Sequence, residues 1–234
     1  MKKVFVLMAC ACMALSCGSL NQLGGLPGIQ NGGSGNVANT AIKDLLLNSV
    51  LAGIGNLGNN NGFLNNQLYK IFLPPEAQKV VSTLQSIGLG SVVNSAVTQI
   101  NHSAEGAVSL AKPIFINAVK TMSITDAAGL VSGGDGAITD FFKRKTTSQL
   151  LTAFTPVIKQ SLDKNDATKY YDQIANSYNK IPLVKNKLNP DLTNYVASQA
   201  MNAMFSQMSS AEKNIRHNPA AQTTAALKQI FGRK

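Results

Sequence analysis

The sequence predicts an all-α fold, a single irregular bundle of about 8–10 helices, and three observations carry that expectation. Apolar residues recur at three- and four-residue steps through most of the chain, the spacing of one helix face. No pair of segments alternates apolar and polar residues as a hairpin would, and no internal repeat is visible. Prolines, glycines and Ser/Asp caps fall where such helices have to start and stop. The 234 residues suit one domain with ample chain for a core. Only 14% are charged, well below the roughly 25% of an average soluble domain, and the hydrophobic content is too high for a disordered chain. An unbroken apolar run of about 20 residues is absent, which excludes a polytopic helical membrane protein.

The N-terminus reads as a processed segment. Lys2 and Lys3 form a basic start, and residues 4–15 are an apolar run of twelve, too short to span a bilayer and the length of a signal-peptide core. All three cysteines, Cys10, Cys12 and Cys17, lie within or just after it. Ala14-Leu15-Ser16-Cys17 followed by Gly18-Ser19 resembles a bacterial lipoprotein leader, with Cys17 as the acylated first residue of the mature chain. The expected organisation is a signal peptide at 1–16, a flexible Gly/Asn-rich tether at 17–40 and an all-helical domain at 41–234. The tether composition does not repay the entropy of ordering, and some 22 residues of it reach about 25 Å. A chain processed in this way keeps one lipidated thiol, so a disulfide or a thiolate metal site within it is excluded.

Element by element, Ile42, Leu45, Leu46, Val50, Ile54 and Leu57 predict a first helix, broken by the glycines between 55 and 62. Ile71-Phe72-Leu73-Pro74-Pro75 predicts an extended segment, since a proline pushes its predecessor out of the α region. Pro75 then suits the first turn of a helix that stops at Gly88 or Gly90. A long helix is expected over 91–110, interrupted by Pro113 and continued over 114–122. Ser123 and Asp126 supply cap chemistry for a short helix ending at Ser132-Gly133-Gly134. Asp135 is the expected cap of a helix over 137–145. Leu150, Leu151, Phe154, Val157, Ile158 and Leu162 form a further stripe with a kink at Pro156. Two more helices flank a loop at 181–190, the second with Met201, Met204, Phe205 and Met208 on its core face. Asn218-Pro219 opens the last helix, with Leu227, Ile230 and Phe231 inward.

Several strings occur together in order: Gly62-Phe63-Leu64-Asn65-Asn66, Ala111-Lys112-Pro113-Ile114-Phe115, Met122-Ser123-Ile124-Thr125-Asp126-Ala127, Ser132-Gly133-Gly134-Asp135-Gly136-Ala137-Ile138-Thr139, Ala211-Glu212-Lys213-Asn214-Ile215-Arg216 and Ile230-Phe231-Gly232. As an ordered set they resemble the bacterial domain-of-unknown-function family numbered 4197, over roughly residues 40–232. The resemblance implies an exported helical protein, in many cases a lipoprotein, with no established activity. Where the family favours a second acid after Gly-Gly-Asp, this chain has Gly136. Where it favours an acid before a late proline and an Arg after it, this chain has Asn218-Pro219-Ala220-Ala221-Gln222.

Charge is unevenly placed. The formal net charge is +10, yet residues 18–142 hold five cations and six acids, and residues 143–234 hold fourteen cations and five acids. A basic second half favours anionic head groups or an acidic envelope protein as partner. It has no aromatic-interleaved strand surface for nucleic acid, which is not an expected partner. The candidate anion site is Gly133 and Gly134 before a helix N-terminus, with Lys143, Arg144 and Lys145 beyond. Glu105, Asp126, Asp135, Glu212 and Arg216 interrupt apolar patterns and are expected to be structural, as helix caps and partly buried ion pairs. Arg216 is expected to pair with a carboxylate from another helix. Gly53-Ile54-Gly55-Asn56-Leu57-Gly58 matches a dinucleotide fingerprint literally, but a helix precedes it where a strand is required. His102 and Glu105 share a helix face without further ligands at metal spacing. No metal, no cofactor and no catalytic residue is expected. The functional expectation is a non-enzymatic, periplasm-facing lipoprotein on the outer membrane that binds or organises an envelope partner. The alternative is a carrier or sensor of an apolar or amphipathic ligand held between helices, with a hydrolase lacking any recognisable motif third.

Overall fold

The computed structural model describes residues 43, 46–48, 50–51, 54–79, 81–86, 88–164, 166–180, 187–188, 191–223, 228 and 231. They fall within one compact unit, Asn36–Lys234. The expected leader, Cys17 and the tether lie outside the described residues, as do Ile42, Leu45, Leu227 and Ile230. Among the described residues there are eight α-helices from Pro75 to His217, further helical residues at 43, 46–48, 50–51, 54–55, 228 and 231, one 3₁₀ turn and no strand.

Lys43, Leu46, Val50 and Ile54 are helical, and the last three are buried at four-residue steps. Lys43 donates from Nζ to the Met122 carbonyl, which closes a free acceptor beyond a helix end. The chain then turns through residues 56–65 instead of continuing as a helix. Gly62 is obligatory in this turn, because a Cβ there would meet the Asn56 carbonyl oxygen at 2.2 Å. Residues 70–74 run without helix into α1, Pro75–Gln78, whose proline occupies the first turn. The helix expected from there to Gly88 is in two described pieces, α1 and α2, Val81–Ser86. The second ends as a Schellman closure: Gly88 takes φ 87°, its N–H reaches Gln85 O at 3.1 Å, and Leu89 N–H reaches Leu84 O at 2.9 Å.

Helix α3, Gly90–Val108, and α4, Ala111–Lys120, are separated at Ser109-Leu110. The break lies where Pro113 forbids a continuous helix, over the Ser109 carbonyl four residues before it, but the second helix restarts at Ala111 and not at Ile114. Pro113 sits in the first turn of α4, where a backbone N–H has no intrahelical acceptor in any case. Helix α5, Ile124–Ser132, opens with a capping box, Asp126 N–H to Ser123 Oγ at 3.0 Å and Ser123 N–H to Asp126 Oδ2 at 3.2 Å.

Helix α6, Ala137–Lys164, is continuous over 28 residues, where two segments with an end at Lys145 were expected. The polar run Thr146-Thr147-Ser148 does not break it. Thr146 and Thr147 each bond back to the carbonyl four residues earlier at 2.6 Å, so their hydroxyls stay within the helix. Phe141 and Phe142, Leu150, Phe154, Ile158 and Leu162 continue one buried stripe across the supposed break. Helices α7, Ala167–Asn179, and α8, Leu192–His217, follow, and the last expected helix begins as a 3₁₀ turn at Pro219–Ala221.

Helices α3, α6 and α8 pack against one another at the centre, with α4 and α5 against α6 and α7 against α3 and α6. Met201, Met204, Phe205 and Met208 of α8 all face this core. Phe115 meets the Phe142 ring edge-on with centroids 5.5 Å apart, a geometry that adds about 0.5–1.5 kcal/mol beyond burial.

Candidate functional site

The polar core is organised around two buried glutamates, each taken from one helix and spent on the backbone of another segment. Glu212 of α8 is 3% exposed. Its Oε1 accepts from Ile138 N–H at 3.1 Å, and its Oε2 accepts from Thr139 N–H at 3.0 Å and Thr139 Oγ1 at 2.7 Å. These are free donors of the first turn of α6, where the helix dipole favours an anion. Four residues on, Arg216 donates from Nε to Glu212 Oε1 at 3.0 Å. Its other nitrogens cover the end of α5, Nη2 to Leu130 O at 2.7 Å and Nη1 to Gly133 O at 2.9 Å and Val131 O at 3.3 Å. One turn of α8 thus satisfies the acceptors ending α5 and the donors starting α6. Phe231 lies under the guanidinium, 5.2 Å from ring centroid to Cζ.

This arrangement corrects two expectations. Arg216 pairs within its own helix, because the i,i+4 spacing already places Glu212 on the same buried face. Asp135 does not cap α6, since Gly136 with φ 86° and the Glu212 carboxylate take that role. Asp135 instead receives His217 Nε2 at 2.7 Å on the outer side of the same turn. That hydrogen bond holds the Asp135 carboxyl below its ordinary value, aided by His217, Lys213 and Arg216 nearby. Asp126 is likewise held low, by the Ser123 hydroxyl first and the Ser123 backbone second.

The candidate anion site is not assembled as expected. The donors at the glycine-led N-terminus of α6 are filled by the protein's own Glu212 carboxylate. Lys143, Arg144 and Lys145 are exposed, six to eight residues further on, about 9–12 Å along the helix axis. Lys145 lies over the Phe141 ring at 6.0 Å. Gly133 cannot accept a side chain, for a Cβ would stand 2.6 Å from that of Ala137.

The second glutamate, Glu105 of α3, is 5% exposed. It accepts from Asn61 N–H at 3.1 Å, Phe63 N–H at 3.0 Å and Leu64 N–H at 3.2 Å. His102 Nδ1 lies 2.9 Å from Oε2, the oxygen that also accepts from Asn61. One turn earlier, fully buried Asn101 grips Ile71 at both ends, N–H to Oδ1 and Nδ2 to carbonyl, each at 2.8 Å. Asn101 was missed in the sequence. Its signal was present, since it lies four residues before Glu105 and beside Ile100 on the core stripe. The literal G-x-G-x-x-G string runs from a helix end into this clamped loop.

Chemically, these groups are committed. The Glu105–His102 pair has the form of a dyad, but the adjoining Ser103 hydroxyl turns to Gln99 O at 2.7 Å and Ser161 Oγ at 2.9 Å. Among the described residues no three His, Cys, Asp or Glu side chains converge as a metal site. The apolar cavity beside Glu212, bounded by Val50, Ile138, Met208 and Phe231, measures about 10 Å³, room for about one water. No single described helix is long and apolar enough to cross a membrane.

The class defined by this fold and site is an all-α bundle whose buried ionisable groups serve as inter-helix fasteners. Residues 33–232 match the model of the family described as "Protein of unknown function (DUF4197)", and the chain belongs to that family. The match covers every described helix and begins at residue 33, inside the stretch assigned to the tether. No curated protein and no solved structure matches the chain.

Proposed function

We propose that the protein is a non-enzymatic lipoprotein, acylated at Cys17, whose helical domain faces the periplasm from the outer membrane and binds or organises a partner there. The observation that carries this reading is the basic start and the twelve-residue apolar run 4–15 followed by Ser16-Cys17, ahead of a Gly/Asn-rich stretch and a compact domain. The non-enzymatic part is supported by the commitment of Glu105, Glu212 and Arg216 to backbone partners, which leaves these buried charges without a role in proton transfer or nucleophile activation. The apolar cavity beside Glu212, about 10 Å³, is too small for an amphipathic ligand, and the larger hollows of about 370 and 340 Å³ are open surface clefts with polar side chains among their lining. The exposed Lys143, Arg144 and Lys145 and the excess of cations after residue 142 suit anionic head groups or an acidic protein surface.

Fractionation of envelopes with metabolic fatty-acid labelling tests the anchor. Cys17→Ser is expected to abolish labelling and release the protein, and Cys10→Ser to change neither. Persistent labelling of Cys17→Ser overturns the assignment.

A further inference from the structure

The segment that Glu105 and Asn101 immobilise buries Phe63, Ile71 and Leu73 but presents two large apolar side chains outward. Leu68 is 84% exposed and Phe72 is 52% exposed, although both belong to a loop with a fixed backbone. That backbone is closed from several sides. Asn66 Oδ1 accepts from Leu68 N–H at 3.0 Å and Tyr69 N–H at 3.2 Å, and Lys70 N–H reaches Asn66 O at 3.0 Å. Asn101 holds Ile71, the Tyr195 hydroxyl donates to Phe72 O at 3.1 Å, and Gln78 Nε2 donates to Leu73 O at 2.6 Å. Lys70 Nζ stands 5.9 Å from the Phe72 ring centroid. The half-buried Tyr69 and Tyr195 flank the tip, and their hydroxyls meet Ser206 and the Phe72 carbonyl.

We infer that this loop, with Leu68 and Phe72 at its tip, inserts into the interfacial region of an anionic lipid bilayer. Four features select a bilayer. The tip projects outward, so it suits a yielding surface. Many of its backbone groups are already hydrogen-bonded within the protein, which is the condition for entering a medium poor in water. Tyrosines and a lysine surround the apolar tip, the order in which a bilayer meets these side chains from acyl chain to head group. Lys70 at the tip and exposed Lys79 outnumber the one acid of the following helix, Glu76, so the charge complements phosphate head groups. The inference deepens the membrane-surface reading above and rests on it for the membrane concerned. Its loop is distinct from the basic face at Lys143.

The chain contains no tryptophan, so Phe72→Trp in the full chain supplies a single reporter. With protein-free vesicles of phosphatidylglycerol and phosphatidylethanolamine, its emission is expected to shift to the blue and to be quenched by brominated acyl chains. Gln160→Trp, on the exposed face of α6 and away from both the loop and the basic run at Lys143, is the control and is expected to do neither. In the unacylated Cys17→Ser chain, Leu68→Ser with Phe72→Ser, both exposed and therefore compatible with folding, is expected to weaken vesicle binding about a hundredfold. Lys70→Gln is expected to flatten its salt dependence. Unchanged Phe72→Trp emission with vesicles overturns the inference, as does a shift that needs an added envelope protein. The same reporter in a Cys17→Ser chain separates the two readings. Quenching that persists without acylation supports the loop whatever the fate of the anchor, and acylation without quenching removes the loop alone.

Discussion

Replacing Glu212 with Ala probes the α5–α6 fastener most directly. The change strips acceptors from Ile138 N–H, Thr139 N–H and the Thr139 hydroxyl, and it leaves the Arg216 guanidinium, 7% exposed at the side chain, without its counter-charge. Each orphaned buried donor costs about 1–3 kcal/mol, but the losses share one site and do not add. Breaking a buried pair by removing one member costs about 3–5 kcal/mol in total, which is the expected loss here. A domain of this kind has about 5–15 kcal/mol in hand, so the variant loses at least about a fifth of its stability. With a urea slope of about 2 kcal/mol/M the midpoint falls by roughly 2 M. Arg216→Ala is expected to cost a similar amount, because it strands the carboxylate and opens the Leu130 and Gly133 carbonyls. The double variant should fall short of the sum by about 1–3 kcal/mol. Urea titrations followed by far-ultraviolet circular dichroism, with slopes compared across all four proteins, read these values. A loss below about 1 kcal/mol for Glu212→Ala, or strict additivity in the cycle, would refute the clamp.

Three other outcomes follow from the same geometry. Gly62→Ala should destabilise by about 1–3 kcal/mol in the same titration, because its methyl group would press on the Asn56, Leu57 and Asn59 carbonyls. Asp126, Asp135 and Asp163 are all held below their ordinary value of 3.8 by hydrogen bonds. A depressed folded-state pKa contributes stability above the unfolded value that disappears as pH falls through the folded one. Melting temperature should therefore drop below about pH 4, and Asp126→Asn with Asp135→Asn should flatten that slope. Burial raises the Tyr171 hydroxyl to about 12, with Glu76, Tyr195 and Asp172 adding to it. Ultraviolet titration should accordingly show a late tyrosine ionisation that Tyr171→Phe removes.

Helix period and punctuation were legible wherever a single segment contained the signal. The capping box at Ser123 and the Schellman stop at Gly88 depend on residues close in sequence, and both sit where the residues place them. The methionine row of α8 likewise faces the core. Boundaries failed where polarity was read as exposure. Thr146 is buried and bonded to its own helix, so a polar run did not mean an end. At Pro113 the interruption was legible and only the restart was misplaced, since the following helix takes the proline into its first turn.

The charged members of the site were legible, whereas Asn101 and the pairing of all of them were not. Glu105, Glu212 and Arg216 stand out as charges on apolar stripes, and burial follows from the period alone. Their partners are 41–44 residues away for Glu105 and 73–74 for Glu212, and no local pattern carries such a distance. The same ambiguity explains the anion site. A glycine-led helix start does attract an anion, but a carboxylate from α8, delivered at the cost of burying it once during folding, outcompetes any solute. Both glutamates act at long range on backbone N–H groups, so each fixes a connection: the turn between α5 and α6, and the loop that displays Leu68 and Phe72. Here they are placed to hold exposed connections in one shape, and a rigid exposed loop is useful to a molecule that recognises a surface.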